Sequence, residues 1–365
     1  MDEYGYSLEV KLTDEEWERY LAHKRRWCRL QPLIETRGYR IAKQYNPDTV
    51  SAWKERPKGY VDEPNYPHLL EGVRISDKRP VMLKFTRTDL WEAQIFQDLA
   101  SFPDADNHTI PLYDVITPPH DPDSQMQWCI VVTPRLTDCR ERHFRTLEDL
   151  VQFITQVIEG VCFMHRYNIA HTDVARTNIV WDKRPIDDDP LDRKGKPKSR
   201  RPTVAPRRYY FIDFGLACAF PSFEERGRVQ GLCGQHRNIP ELSEEVPYDP
   251  FPLDIRQIGE MLTRDYTQVY AELEFLEPWI ARLRDDDPTK RPTAPETLAY
   301  FQNLVASLPE EKLKAQVYGR NEWPNGRRFM TYAVIIWFFA NAVFLWWNWK
   351  RLTTPIVLIS DDLSG

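Results

Sequence analysis

The chain has 365 residues, 42% hydrophobic and 28% charged, which suffices to bury the core of one large two-lobed domain or two small ones. Its formal net charge of −6 argues against a nucleic-acid-binding protein, because such proteins carry basic surfaces. The six cysteines are far apart and form no CxxC pair, which favours reduced thiols over a zinc site or disulfides. The chain does not open with a secretory signal, so we expect folding in the cytosol.

The first predicted element is a helix. Residues 13–16 form a capping box, and Trp17, Leu21 and Trp27 follow on one helical stripe. We expect residues 1–45 to be a helical extension that packs on the domain.

Residues 46–133 show mainly strand patterns, and residues 134–308 mainly helical ones. The predicted elements of the first part are a strand hairpin over 73–85, a helix over 89–100 and strands over 109–116 and 128–132. From Thr146 onward, apolar residues recur with helical period. Strands followed by helices predict an α+β fold with a strand-rich N-lobe and a helical C-lobe.

Residues 183–208 differ in composition from their surroundings. Three consecutive aspartates, 187–189, precede a basic run, and the segment holds five prolines. This composition predicts a solvated, flexible insertion. A nuclear signal or a contact with acidic lipids is the alternative.

The segment 329–349 is apolar enough to predict a transmembrane helix. Three polar residues, Thr331, Asn341 and Asn348, interrupt a run of the length that a bilayer requires. Tryptophans crowd one end, and basic pairs flank both ends. A buried core helix is the alternative. We expect a single-pass membrane anchor with the domain facing the cytosol, a juxtamembrane linker over 309–328 and a short tail over 350–365.

The strongest chemical signal lies in two short motifs, HTDVARTN at 171–178 and FIDFG at 211–215. Phosphoryl transfer from ATP needs Mg²⁺ held against the phosphates, a carboxylate that orients the attacking hydroxyl, and positive charge on the transferring group. An Asp with an Asn five positions on, then an Asp in an Asp-Phe-Gly turn, supplies the carboxylate and the metal ligands. In this order the two motifs resemble the catalytic loop and the metal-binding motif of eukaryotic protein kinases.

The resemblance implies ATP and Mg²⁺ as cofactors and a role for each motif residue. Asp173 would be the catalytic base, and Asn178 and Asp213 would be the Mg²⁺ ligands. Arg176 would replace the lysine that neutralises the transferred phosphate. The motif residues with structural roles would be His171, Phe214 and Gly215.

Upstream, VMLK at 81–84 matches the kinase strand whose lysine, here Lys84, holds the α- and β-phosphates. Glu92, on the next predicted helix, is the natural partner of Lys84. Met82 shares a strand face with Lys84, because residues two apart point to the same side. The other residues that the resemblance places against the nucleotide are Thr133 as gatekeeper, Leu136 as backbone donor, and Val180.

Downstream, IPE at 239–241 matches the end of a kinase activation segment, and Asp254 matches the buried helix Asp that supports the catalytic loop. Arg291 matches the arginine that pairs with the segment-ending glutamate, so we predict a Glu241–Arg291 ion pair. The resemblance extends over residues 70–305.

More narrowly, the runs 239–243 and 246–251, together with the insertion before 209–213, resemble a family of fungal, mostly basidiomycete, protein-kinase-like proteins.

Two departures from the kinase pattern concern phosphate binding and regulation. No glycine-rich loop precedes Lys84, and Met82 stands where kinases carry a small alanine. Thr172 replaces the arginine that docks a phosphorylated activation loop, and Ser222 is the only hydroxyl side chain between 213 and 241. We therefore expect no phosphorylation switch in this segment.

Three functions fit these residues. The first is an ATP- and Mg²⁺-dependent protein kinase of Ser/Thr type acting on a protein substrate. The second is a membrane-tethered pseudokinase scaffold, which the missing glycine loop and Met82 favour. The third is a small-molecule kinase of the aminoglycoside-phosphotransferase type, but such enzymes lack the Pro-Glu segment end and its arginine partner.

Overall fold

The computed structural model describes residues 14–46, 68–89, 91–119, 127–141, 144–182, 207–232 and 234–320. Within these ranges the chain forms a region built on one antiparallel sheet, named here the sheet region, and then a mostly helical region. The elements of the sheet region are α1 (Asp14–Thr36), β1 (Tyr39–Ile41), β2 (Leu69–Arg74), β3 (Pro80–Arg87), α2 (Glu92–Ser101), β4 (Asp114–Ile116) and β5 (Trp128–Pro134). The strand order is β1-β2-β3-β5-β4, and every neighbouring pair is antiparallel.

The hairpin of β2 and β3 confirms the strand pair predicted from the apolar runs. Its turn places Lys78 at a left-handed φ of 62°. The Arg74 guanidinium donates two hydrogen bonds to the Asp77 carboxylate, at 2.6 and 3.0 Å, and lowers the pKa of Asp77 to about 2. This turn sets a register in which Leu69 pairs with Lys84.

The strand β3 is covered on both faces, because successive side chains of a strand point to opposite sides. Val81, Leu83 and Phe85 share one buried core with Trp27 and Ile34 of α1. On the other face, the side chains of β3 line a cleft toward the helical region. The predicted N-terminal helix is thus present over Asp14–Thr36 and packs on the sheet, although Thr13 of its capping box lies outside the described residues.

The helical region is organised around one long buried helix. Its elements are β6 (Thr137–Asp138), α3 (Leu147–Arg166), β7 (Ile169–Ala170), β8 (Ile179–Trp181), β9 (Tyr209–Phe211), β10 (Cys218–Ala219), β11 (Val229–Gly231), β12 (Ser243–Tyr248), α4 (Pro250–Leu262), α5 (Glu277–Leu283), α6 (Ala294–Ala306) and α7 (Glu310–Leu313). The helix α3 starts at an N-cap, where the Thr146 hydroxyl accepts a hydrogen bond from the Asp149 N–H at 3.2 Å. The short strands β7 and β8 bracket the motif 171–178 and so place it at the edge of the cleft.

One predicted strand is shorter than expected. Of residues 109–116, only Asp114–Ile116 belongs to the sheet. The preceding residues bond instead to β9, since the Ile110 N–H donates to the Phe211 carbonyl at 3.0 Å and the Phe211 N–H donates to the His108 carbonyl at 2.7 Å. The segment therefore joins the sheet region to the helical region, which its apolar pattern alone did not indicate.

The predicted membrane anchor is corrected. Among the described residues, no helix has the length and apolar character needed to cross a bilayer. The segments 329–349 and 350–365, on which that prediction depended, and residues 183–206 of the predicted insertion lie outside the described residues. The described residues form a mixed α/β fold with a curled antiparallel sheet, and the predictions of a transmembrane helix and of a membrane location were wrong.

Candidate functional site

A cleft with a cavity volume of about 410 Å³ lies between the sheet and the helical region. Its walls bring together residues from β3, β5, β8 and the segment after β9. Seven residues predicted for the site line it: Met82, Lys84, Thr133, Leu136, Asn178, Val180 and Asp213. Met82 pairs with Thr133 across β3 and β5, so these two side chains lie next to each other on the sheet wall.

Lys84 is the centre of an ion-pair network at the back of the cleft. Its ammonium group lies 2.5 Å from a Glu92 carboxylate oxygen and 2.7 Å from an Asp213 oxygen. The other Glu92 oxygen accepts a hydrogen bond from the Thr86 hydroxyl at 2.9 Å. The predicted Lys84–Glu92 pair is therefore confirmed, and it is well buried, with side-chain exposures of 17% and 3%.

The pKa values follow from this network. Burial acts to lower the pKa of Lys84, but the carboxylates of Glu92 and Asp213 outweigh it, so the pKa lies above its usual value. Burial likewise acts to raise the pKa of Asp213, but Lys84 outweighs it and the pKa lies below its usual value. Both shifts favour the charged forms of the two side chains.

Asp173 and Asn178 are joined in the loop between β7 and β8. The Asn178 amide donates to the Asp173 carboxylate at 2.8 Å and to the Asp173 carbonyl at 2.9 Å. Both N–H groups of the Asn178 side-chain amide are thus used, and its side-chain oxygen has no hydrogen-bond donor within the described ranges. The spacing of five residues observed in the sequence is what allows this hydrogen bond across one short loop.

Two side chains of helix α4 fix the same loop by hydrogen bonds. Asp254 is fully buried, and its carboxylate accepts hydrogen bonds from the His171 and Thr172 N–H groups at 2.8 and 2.7 Å. The imidazole of His165 lies 2.9 Å from the same carboxylate. Gln257, one helical turn later, accepts from the Val174 N–H at 2.8 Å and donates to the Thr172 carbonyl at 2.7 Å. These bonds fix Thr172 at a left-handed φ of 60°, a conformation that a β-branched residue rarely adopts.

The motif 211–215 is anchored by aromatic packing. The Phe214 ring is buried and meets Phe96 of α2 edge-on, with ring centroids 4.9 Å apart. The His171 ring packs against Phe214 at 5.2 Å, and its Nε2 lies 3.2 Å from the Ile212 carbonyl. This packing links α2, which carries Glu92, to the loop that carries Asp173. Asp213 itself has a left-handed φ of 63° and points its carboxylate at Lys84.

The predicted ion pair between Glu241 and Arg291 is confirmed. The Arg291 guanidinium, whose side chain is fully buried, contacts both carboxylate oxygens of Glu241, one of them at 2.9 Å. It also donates to the carbonyls of Asp285 at 2.8 Å and Pro252 at 3.0 Å. These carboxylate and carbonyl acceptors suit the N–H donors that a planar guanidinium group presents in fixed directions.

Arg176 does not reach the cleft. Its guanidinium donates to the Arg140 carbonyl at 3.2 Å and lies 5.7 Å from the centre of the buried Tyr266 ring. The contacts with Arg140 and Tyr266 therefore determine where this side chain points.

Several residues that line the cleft were not predicted from the sequence, among them His68 and Gln235. His68 lies directly before β2, and burial, followed by the nearby Lys84, lowers its pKa. Gln235 lies in a segment without regular structure, 62 residues after Asp173 in the sequence, and bonds to it. Neither residue belongs to a periodic pattern or a motif, so no local signal marked them.

The described residues fit a Mg²⁺ ion bound together with phosphates. Mg²⁺ in nucleotide sites takes one or two protein oxygens and completes its shell with water and phosphate. Asp213 and Asn178 both line the cleft, and each would supply one oxygen ligand to such an ion. Within the described ranges, no cluster of three or more His, Cys, Asp or Glu side chains could hold a metal without such a partner.

A scan of the sequence against models of known protein families found no match. The function is therefore proposed from the site residues themselves.

Proposed function

We propose that this chain is an ATP- and Mg²⁺-dependent protein kinase that phosphorylates Ser or Thr hydroxyls. One observation supports the proposal most directly. Lys84 and Asp213, 129 positions apart in the sequence, meet at 2.7 Å in the cleft that Asn178 also lines. An arrangement with a cation between two carboxylates and an amide oxygen nearby can position phosphates and their metal ion.

The cleft accommodates a nucleotide. Its volume of about 410 Å³ lies in the range of small-molecule sites, and Met82, Val131 and Val180 supply apolar walls for a flat base. The backbone N–H of Leu136 has no acceptor among the described residues, so it is available to donate to the base. Pro134 lacks an N–H but keeps its carbonyl as an acceptor.

Each side chain of the cleft would have its own role in the reaction. Lys84, kept charged by Glu92, would bind the α- and β-phosphates. Asp213 and Asn178 would hold Mg²⁺, which supplies charge neutralisation of the phosphates when bound. Asp173 would orient the acceptor hydroxyl and take its proton as the oxygen attacks the γ-phosphorus. The bond from this phosphorus to the bridging oxygen of the β-phosphate would break, and ADP would leave.

The second candidate is a pseudokinase scaffold that lacks transfer. The position of Met82 favours it, because this side chain lines the cavity beside Lys84, where a bulky group narrows the space for a base.

One experiment separates the two candidates. Mg²⁺-dependent ATP binding is measured by thermal shift, and transfer of radiolabelled phosphate to a generic protein acceptor is measured for the full chain, Asp173→Asn and Asp98→Asn. Asp98, on the outer side of α2, bonds to Gln94 and serves as the matched control. We expect binding in all three proteins and transfer in all but Asp173→Asn. ATP binding without phosphate transfer by the unaltered chain would favour the scaffold candidate. Transfer that persists in Asp173→Asn would refute the role of Asp173 as the base.

A further inference from the structure

A second cavity, of about 430 Å³, lies in the sheet region. It is lined by residues 40–43, 71–73, 75, 78, 80 and 135, and we name it the annex. Arg135 is the one described residue that lines both the annex and the cleft. The volume of the annex lies in the range of small-molecule sites.

The strand register places the annex on the same face of the sheet as the cleft. Arg40 of β1 pairs with Val73 of β2, and Val73 pairs with Pro80 of β3. Residues opposite each other on antiparallel strands share a face, and so do residues two apart on one strand. Because Pro80 lies two positions before Met82, which lines the cleft, the annex continues the cleft face beyond Met82.

An ion pair lies at the boundary between the two cavities. Glu71, the residue opposite Met82 on β2, contacts the Arg135 guanidinium at 2.7 Å. Glu71 is the one acidic residue in the described lining of the annex. Its charge is therefore compensated by Arg135, and the other cations of the annex have no carboxylate within the lining.

These other cations are Arg40, Lys43 and Lys78. Arg40 has an exposed partner outside the lining, Glu35 of α1 at 3.6 Å, and such pairs contribute little. Lys43 is exposed and forms no ion pair with any residue that the structure describes. The annex thus presents a positive charge that the lining itself does not neutralise.

The Lys78 ammonium group has a fixed position in the turn before β3. It donates to the Ile75 carbonyl at 2.9 Å, which leaves its other N–H groups for a ligand. The neighbouring Asp77 carboxylate does not compensate it, because that group bonds to the Arg74 guanidinium at 2.6 and 3.0 Å and to the Arg79 N–H at 3.2 Å.

The surface between the three cations is apolar. Val73 is 38% exposed, and Ile75, Pro80 and Ala42 line the cavity beside it. A ligand that fits both features has an apolar body for this surface and an anionic group that accepts charge-assisted hydrogen bonds from the lysines. We propose that the annex binds a small organic anion of this class, with a carboxylate, sulfonate or phosphate group. The site is independent of phosphate transfer in the cleft.

A pair of fluorescent probes tests the site. Anilinonaphthalene sulfonate has an aromatic body and an anionic group, and phenylnaphthylamine has the same rings without the sulfonate. Fluorescence titration of the full chain should give tighter binding of the sulfonate probe. One exposed charge contact corresponds to roughly a two- to fivefold change in a dissociation constant. Lys43→Gln and Lys78→Gln should therefore each weaken the sulfonate probe roughly two- to fivefold and leave the neutral probe unchanged.

Lys290→Gln is the matched control, since it removes the same charge from an exposed lysine of the helical region. Val73→Thr keeps the β-branched shape but makes the surface less apolar, so it should weaken both probes roughly two- to fivefold. Melting temperatures verify that each variant is folded.

Three results would overturn the proposed site. The first is equal affinity of the unaltered chain for the two probes. The second is an affinity for the sulfonate probe that stays unchanged in both Lys43→Gln and Lys78→Gln. The third is a loss of that affinity in Lys290→Gln as large as in these two variants, because the probe would then respond only to net charge. Binding of the neutral probe that is insensitive to Val73→Thr would refute the apolar surface as part of the site.

Discussion

Removal of the Lys84 ammonium group should destabilise the protein, and additional removal of the Glu92 charge should restore stability. Lys84→Met leaves the Glu92 carboxylate buried with the Thr86 hydroxyl as its only remaining hydrogen-bond partner among the described residues. Breaking a buried pair by removing one member costs about 3–5 kcal/mol. Because Lys84 keeps some contact with solvent, we expect a loss of about 3 kcal/mol in the free energy of unfolding.

Glu92→Gln added to Lys84→Met removes the unpaired charge and keeps an oxygen for Thr86. Replacement of a buried pair by neutral groups is often nearly neutral, so the double variant should return to within about 1 kcal/mol of the unaltered protein. Urea unfolding of the two variants at pH 7 measures these values. Lys290→Met is the control, since Lys290 is exposed and its pair with Asp287 at 3.6 Å should contribute less than about 0.5 kcal/mol.

Nucleotide binding separates stability from function in the same set of proteins. Both Lys84 variants should lose Mg²⁺-dependent ATP binding, including the double variant that has regained its stability. A double variant that is less stable than Lys84→Met would refute the assignment of Glu92 as a charge held by Lys84. A restored double variant that binds ATP with unchanged affinity would refute the role of Lys84 toward phosphates.

Three further predictions concern acid stability, the buried arginine and close packing. Because the pKa of Asp213 is lowered in the folded state, its contribution to stability is complete above the unfolded pKa of about 4 and is lost as the pH falls through the folded pKa. Asp213→Asn should therefore flatten the loss of melting temperature as the pH falls below about 4. Arg291→Lys keeps the charge but loses donors to Glu241 and to two carbonyls, so chemical denaturation should show a loss of about 2–3 kcal/mol. Gly160→Ala should cost about 1–3 kcal/mol despite better helix propensity, since a Cβ would lie 2.7 Å from the Phe211 ring, whereas Gly227→Ala, with its nearest atom at 3.5 Å, should be near neutral; equal melting temperatures for the two would contradict the packing described for α3.

Several features of the site followed from residue types and spacing. The five-residue spacing of Asp173 and Asn178 suffices to bring their side chains together within one loop. The alternation of β3 predicted that Met82 and Lys84 share a face, and both line the cleft. The pairs Lys84–Glu92 and Glu241–Arg291 were predicted by resemblance and are present. The first two predictions depended on local geometry, which the sequence displays directly, whereas the two ion pairs depended on the resemblance to protein kinases.

Other features depended on contacts between distant segments. Arg176 was expected to act at the phosphate, yet its guanidinium bonds to the Arg140 carbonyl and lies over the Tyr266 ring. Residues 109–113 were expected to belong to a strand, yet the Ile110 N–H bonds to Phe211 of β9 instead of to the sheet. In both cases the competing partner comes from another part of the chain, so no local pattern could have revealed it.

The sequence by itself determined which groups are available for chemistry and the order in which the strands and helices follow. It did so because helical and strand periods, and the spacing of charged residues, are local properties of the chain. Only the tertiary structure decided that the Gln235 N–H bonds to Asp173 and that α1 packs on the outer face of the sheet. It also decided that Phe214 packs against α2, the helix that carries Glu92. These contacts join residues tens of positions apart, and they form only where packing of the whole domain brings their backbones together.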